Sequence, residues 1–174
     1  MKELKDYVIT IPDFPTKGIL FRDITGIISN AEGFKLSIDE LEERLKGVEF
    51  DTIVGLESRG FIFGAPLAAN FGKSFVPVRK KGKLPRATIE KSYALEYGFA
   101  TIEIHRDAIK PGERVVVVDD LLATGGTANA ACELIEELGG KVVKLLFVME
   151  LSTLKGRESL KRYDVESLFS FDGE

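Results

Sequence analysis

The stretch Val115-Val-Val-Val-Asp-Asp-Leu-Leu-Ala-Thr-Gly-Gly-Thr127 decides how the rest of the chain is read. Four consecutive β-branched residues predict a fully buried strand. Two carboxylates, Asp119 and Asp120, follow at its end, and Thr124, Gly125, Gly126 and Thr127 close a short loop before an apolar-periodic helix. Backbone N–H groups at such a helix N-terminus cradle a phosphate. Acceptor-only carboxylates beside it suit ligand hydroxyl groups or a metal ion. A plain strand–turn–helix connection gives no reason to keep two mutually repelling carboxylates together, and open α/β sheets bind ligands at this edge. On its residues alone, the stretch predicts a pentose phosphate site: a phosphate cup beside a sugar clamp.

The flanking chain reads as alternating helices and strands. Leu4, Tyr7 and Val8 predict a short amphipathic helix ended near Pro12, followed by a rigid loop through Pro12–Pro15 and Thr16–Gly18. Asn30 to Lys46 is predicted as a helix with Phe34, Ile38, Leu41 and Leu45 on one face and Gly47 as its stop. Thr52–Leu56 and Phe75–Val78 are predicted strands around a helix from Gly60 to Asn70. Lys80 to Arg86 is a basic loop, and Ala87 to Ile104 a hairpin with Tyr97-Gly98 in the turn. A helix with Ala131, Leu134, Ile135 and Leu138 on one face ends at Gly139-Gly140. Strands at Val142–Met149 and Val165–Phe169 complete a mostly parallel α/β sheet in a single domain.

Composition narrows the function. A chain of 174 residues with 44% hydrophobic and 30% charged residues is an ordinary globular domain. A net charge of -4 argues against a general nucleic-acid surface. Cys132 is the only cysteine, which rules out an intrachain disulfide and a cysteine metal cluster. The N-terminal residues lack the apolar core of a signal peptide, and no run reaches the ~18 apolar residues of a membrane span. These features predict a soluble cytoplasmic protein. Neither a Walker P-loop nor a G-x-G-x-x-G turn is present. His105, the only histidine, supports neither a zinc site nor a catalytic triad and is expected at the surface. Cys132 is expected as a buried structural thiol.

The decisive stretch resembles the ribosyl-donor signature of the type I phosphoribosyltransferases, and the wider chain resembles their adenine-specific branch. The resemblance runs in order through Pro12-Asp-Phe-Pro-Thr-Lys-Gly18, Phe21-Arg-Asp-Ile24, Glu57-Ser-Arg-Gly-Phe61, Arg79-Lys-Lys-Gly-Lys-Leu-Pro85, Leu95-Glu-Tyr-Gly98 and Asp119 to Thr127. It extends from about Ile11 to Arg157 and weakens beyond. It implies the type I fold, with a small hood over residues 1–30 and a lid over residues 84–102. It also implies transfer of a 5-phosphoribosyl group from its pyrophosphate donor to adenine, giving AMP and pyrophosphate with Mg2+ as cofactor. Ala123, Thr124, Gly125, Gly126 and Thr127 would hold the 5′-phosphate and Asp119 and Asp120 the ribose hydroxyls, with Leu121 a further substrate-binding residue of the same stretch. Ser58 and Arg59 would bind pyrophosphate, in a loop that in the family often carries a non-proline cis peptide. On the residues alone, Ser58 also suits a helix cap and Arg59 a solvated position.

By the same resemblance, the Arg79–Lys83 segment reaches the neighbouring site of a homodimer, with Arg79 and Lys83 as the preferred pair. Lys81 and Arg86 are expected to be only solvated. Backbone groups near Leu20 would read the adenine edge beside Arg22, with the Phe21 ring stacked on the base. With twelve phenylalanines in the chain, plain core is the competing assignment for Phe21. Glu96 would exchange a proton with the purine from a desolvated position, with Tyr97 beside it on the lid. Too few oxygen ligands fall in one run for a protein-built metal cage, so magnesium is expected to be held mainly by substrate near Asp119 and Asp120. A xanthine, hypoxanthine or guanine enzyme and a non-catalytic sensor of the ribosyl donor are the rival readings.

Overall fold

The computed structural model describes residues 1–173. Its order is β1 (Ile9–Pro12), β2 (Leu20–Asp23), α1 (Thr25–Ile28), α2 (Ala31–Leu45), β3 (Thr52–Leu56), α3 (Gly60–Phe71), β4 (Ser74–Lys80) and β5 (Thr88–Ala94). It continues with β6 (Phe99–His105), β7 (Arg114–Leu122), α4 (Gly126–Glu137), β8 (Lys141–Leu151), α5 (Gly156–Ser159) and β9 (Val165–Phe171). A seven-stranded sheet runs β5-β6-β4-β3-β7-β8-β9. Its β4-β3-β7-β8-β9 part is parallel, and β5 and β6 form an antiparallel extension beside β4.

The valine run behaves as its composition demands. Val115, Val116, Val117 and Val118 are fully buried. Val115 and Val117 join the core under α4, while Val116 and Val118 join the core under α2 and α3. Alternate side chains on a strand point to opposite faces, so a strand covered on both sides needs an unbroken apolar run. The α3 connection leads from β3 outward to β4, and the α4 connection leads from β7 the other way to β8. The strand order therefore reverses between β3 and β7, which opens a crevice at their carboxyl ends.

Three expectations need correction. The predicted N-terminal helix is only a 3-10 turn at Leu4–Tyr7, after which Ile9–Pro12 pairs antiparallel with Leu20–Asp23. This two-stranded hairpin depends on pairing across a loop, which helix periodicity cannot report. Asp119 and Asp120 lie within β7 and not after it, because the ladder to β8 continues through Leu121↔Met149 and Leu122↔Glu150. Backbone pairing there is indifferent to the polar side chains. His105 is buried, not at the surface, at 8% exposure. The loop leading into β5 covers its face of β6, with Arg86 N–H donating to His105 Nε2 at 3.4 Å and Gly82 and Leu84 N–H donating to the neighbouring Glu103.

Candidate active site

The carboxyl end of β7 and the start of α4 form a small cavity of 80 Å³, lined by Asp119, residues 121–128 and Phe147. No side chain caps α4. The N–H groups of its first turn therefore lack intrahelical acceptors and are suited to an anion. Gly125 turns the chain with φ +84, and a Cβ there would lie 2.6 Å from the Gly156 carbonyl oxygen. Any larger residue would thus force the loop away from α5. Ser159 Oγ on α5 donates to Thr124 O at 3.0 Å, which ties the loop to the same support.

A larger cavity of 340 Å³ adjoins it, lined by Ile11, Phe14, Phe21–Thr25, Arg59, Asp120, Leu121 and Met149. Leu121 contributes to both cavities. Phe14 and Phe21 meet edge to face, with ring centroids 5.1 Å apart. Phe21 is half-buried, which places it at the cavity wall and not in the core. The flat apolar wall with polar groups on one side fits an aromatic base.

Arg59 and Asp120 join the crevice. Arg59 Nε donates to Asp120 Oδ2 at 2.5 Å, with the Asp120 side chain almost wholly buried. This bond raises the Arg59 guanidinium above its ordinary value. Asp119 is the other half of the pair. Burial, and then the charge of Asp120, push its carboxyl well above the usual carboxylate range. Asp119 Oδ1 accepts from the Asp120 N–H at 2.8 Å. A Cβ on Gly60 would stand 2.8 Å from Asp119 Oδ1, so only glycine lets α3 approach β7 this closely. The two adjacent carboxylates coexist because one is neutralised by arginine and the other is driven toward its uncharged form.

With this geometry the similarities to known proteins become specific. The model of the phosphoribosyl transferase domain matches residues 26–172. A Butyrivibrio fibrisolvens adenine phosphoribosyltransferase is 66% identical over 174 residues, covering 100% of this chain and 96% of that one. One from Agathobacter rectalis is 60% identical across 100% of both chains. The crystal structure of the Thermoanaerobacter pseudethanolicus adenine phosphoribosyltransferase superimposes with a TM-score of 0.93 at 52% identity, covering 97% of this chain and 98% of that one. The chain belongs to the adenine phosphoribosyltransferase family. It has the type I fold and is an enzyme of the pentosyltransferase class.

In this phosphoribosyltransferase, the tertiary structure brings Phe21, Arg22, Arg59, Asp120 and Leu121 to one cavity and Asp119, Leu121 and Ala123–Thr127 to the other. Leu20 lies outside both linings, exposed at 39% on β2. Ser58 follows a cis Glu57–Ser58 peptide; its carbonyl accepts from Phe61 N–H, and no side chain caps α3. Arg79 and Lys83 converge on Glu57 Oε1 at 2.9 and 3.2 Å. Burial opposes ionisation of Glu57, but the Lys80 N–H, Arg79 and Lys83 outweigh it and hold the carboxyl below its ordinary value. Lys81 and Arg86 are exposed and pair with Glu90 and Asp107. Glu96 and Tyr97 stand exposed at the tip of the β5–β6 hairpin, so Glu96 is not desolvated in this conformation.

Several participants had no individual signal in the sequence. Glu57 anchors two of the predicted pyrophosphate cations although its own motif pointed to Ser58 and Arg59. Tyr93 on β5 accepts a hydrogen bond from Thr127 Oγ1 at 2.8 Å, and a Cβ on Gly126 would lie 3.2 Å from its ring. Its place one turn of the pleat before Leu95-Glu-Tyr-Gly98 was the available clue. Phe14 and Met149 line the larger cavity from segments read as a loop and a strand, and Thr25 from a stretch given no predicted element. Cys132 is the buried thiol expected, with burial pushing its pKa up to about 12.

Proposed function

We propose that the smaller cavity receives the 5′-phosphate and ribose of 5-phosphoribosyl pyrophosphate, and the larger one adenine, with the products AMP and pyrophosphate. The adjacency of the two cavities through Leu121 carries this reading, because an acceptor base in one would lie beside a phosphorylated sugar in the other. An imidazole-ring nitrogen of adenine forms the bond to the anomeric carbon as the bond from that carbon to the pyrophosphate oxygen breaks. Residues 123–127 hold the phosphate. Asp119 and Asp120 orient the ribose hydroxyls, and Arg59 meets the negative charge developing on the leaving group. Phe21 stacks on the base, while backbone groups of β2 near Leu20, at Phe21 and Arg22, read its edge.

Glu96 accepts the proton that the purine ring loses, once the lid over residues 84–102 folds toward the hood over residues 1–30. Exposed Leu95, Tyr97 and Phe99 at the lid tip support that movement, because closure would cover them. Ser58, Arg79 and Lys83 form a pyrophosphate-binding edge, and in a homodimer the Arg79–Lys83 loop extends to the neighbouring site. The exposed half of the Lys83 side chain supports a role beyond its bond to Glu57.

Among the described residues, no group of three or more His, Cys, Asp or Glu side chains is placed to hold a metal ion. Two adjacent carboxylates, one already bonded to Arg59, fit an ion held mainly by substrate oxygens, with Asp119 and Asp120 at its margin. Mg2+ in that position would neutralise the leaving pyrophosphate. A cytoplasmic location belongs to the same reading, supported by the lone unpaired thiol. No helix among the described residues is long and apolar enough to cross a membrane.

Assays of the purified protein with the ribosyl donor and each of adenine, hypoxanthine, guanine and xanthine test the assignment. AMP formation from adenine, faster than turnover of any oxopurine, is expected. Faster turnover of hypoxanthine would overturn the base assignment, and binding of the donor without turnover of any base would indicate a sensor.

A further inference from the structure

The final strand touches the wall of the larger cavity through one aromatic ring. Phe171, the last residue of β9, lies with its ring centroid 4.2 Å from the Arg22 guanidinium carbon. Arg22 lines the cavity immediately beside Phe21. We propose that Phe171 is a positioning residue for the purine: its ring fixes the Arg22 guanidinium, and through it the stretch of β2 that carries Phe21. The inference rests on reading the larger cavity as the base site.

The bonding of Arg22 shows why the ring matters. Its NH1 donates to Thr10 Oγ1 at 2.6 Å, while its Nε is buried without a hydrogen-bond partner. In-plane bonds therefore hold the guanidinium at one corner only. The contact of its face with Phe171 supplies the second constraint, through attraction between the cation and the ring's negative face.

The ring is itself well fixed. Phe169 packs against it edge to face at 5.9 Å, and β9 pairs Phe171 with Leu151. Ser152 Oγ donates to the Phe171 carbonyl at 3.2 Å. Lys5 Nζ lies 4.4 Å from the same centroid and donates to Ser170 O at 2.8 Å. The same chain end thus holds both the N-terminal turn and β2. This matters because β1 and β2 form a separate two-stranded sheet. An isolated hairpin is marginal in water and takes its geometry from what it packs against.

Steady-state kinetics on Phe171→Leu and Phe171→Tyr test the role. Leucine keeps apolar bulk without a ring face, and tyrosine keeps the face. Phe171→Leu should raise the KM for adenine about three- to tenfold, with kcat and the KM for the ribosyl donor changed by less than about twofold, as loss of one partly desolvated cation–ring contact implies. Phe171→Tyr should restore the parent values. A lowered melting temperature with an unchanged adenine KM, or a KM that tyrosine fails to restore, would overturn the proposal.

Thr10→Val releases the other tether from an exposed strand and serves if Phe171→Leu does not fold. It too should raise the adenine KM selectively, and an unchanged KM in that variant would count against the proposal. Phe21→Ala separates the two levels of the argument. If it leaves the adenine KM unchanged, the base assignment itself fails. If it raises that KM while Phe171→Leu does not, only the positioning role fails.

Discussion

The two cavities differ in how they are assembled. The smaller cavity is almost one continuous piece of chain: Asp119, residues 121–128 and a single distant side chain, Phe147. The larger cavity is composite, drawing on β1, the loop after it, β2, the start of α1, the N-terminus of α3, β7 and β8. On the proposed assignment, the contrast follows from what each would recognise. A phosphate takes consecutive backbone N–H groups, which a single loop before a helix provides. A flat base needs a slot, and a slot has two walls that separate elements must supply.

Variants can break or sharpen that contrast. Gly125→Ala should have the largest effect, since it meets both an unfavourable φ and the Gly156 carbonyl. A loss of stability of about 1–3 kcal/mol, typical of overpacking, should accompany near-complete loss of activity. Thermal melts and turnover assays would show it, and near-parent activity would mean that the loop adapts more freely than its packing implies. Arg59→Ala strikes the larger cavity at its bond to Asp120. It leaves Asp120 buried without its cation, and kcat should fall about a hundredfold, on the scale of losing one charge-stabilising donor. A change confined to the adenine KM would instead assign Arg59 to the base cavity alone.

Tyr93→Phe removes the partner of Thr127 Oγ1 from β5. The KM for the ribosyl donor should rise about threefold to tenfold, the scale of one hydrogen bond, while the adenine KM stays constant. Equal changes in both would dissolve the distinction between the cavities at this residue. Asp119→Asn should have the smallest effect on stability and an opposite sign. Because the folded carboxyl titrates above its unfolded value, its ionisation opposes folding as pH rises. The variant should melt higher than the parent at neutral pH, with the gap closing below about pH 4, where an unfolded aspartate is also protonated. Donor binding should weaken at the same time. Melting temperatures across pH, beside donor affinity, read both effects.

What was legible in the chain divides along the same line. Thr52–Leu56 emerged with its predicted bounds, and α2 differs from its prediction by one residue at each end, because a buried strand and an amphipathic helix write their periods locally. The loop that leads through Gly125 into α4 was equally plain. The β1–β2 hairpin was not, since Ile9–Pro12 carries too few residues for a strand period and its partner lies beyond a seven-residue loop containing Pro15. His105 was misplaced because its burial comes from the loop at residues 82–87, which covers one face of an otherwise edge-like hairpin. Glu57 gave no sign of its two cationic partners, which follow it by more than twenty residues.

The amino-acid order by itself therefore determined the alternating α/β architecture, the buried strand Val115–Val118 and the loop that closes at Thr127. Each of these depends on neighbours along the chain: β-branched runs, helix spacing and glycine at a positive φ. The tertiary structure decided the rest. It brought Arg59 to Asp120, separated the fates of the two adjacent carboxylates, and set Phe171 under Arg22 at the wall of a cavity that begins at Ile11. These are contacts between segments far apart in sequence, fixed by the reversal of strand order and the burial on both faces of the sheet, and no local period encodes them.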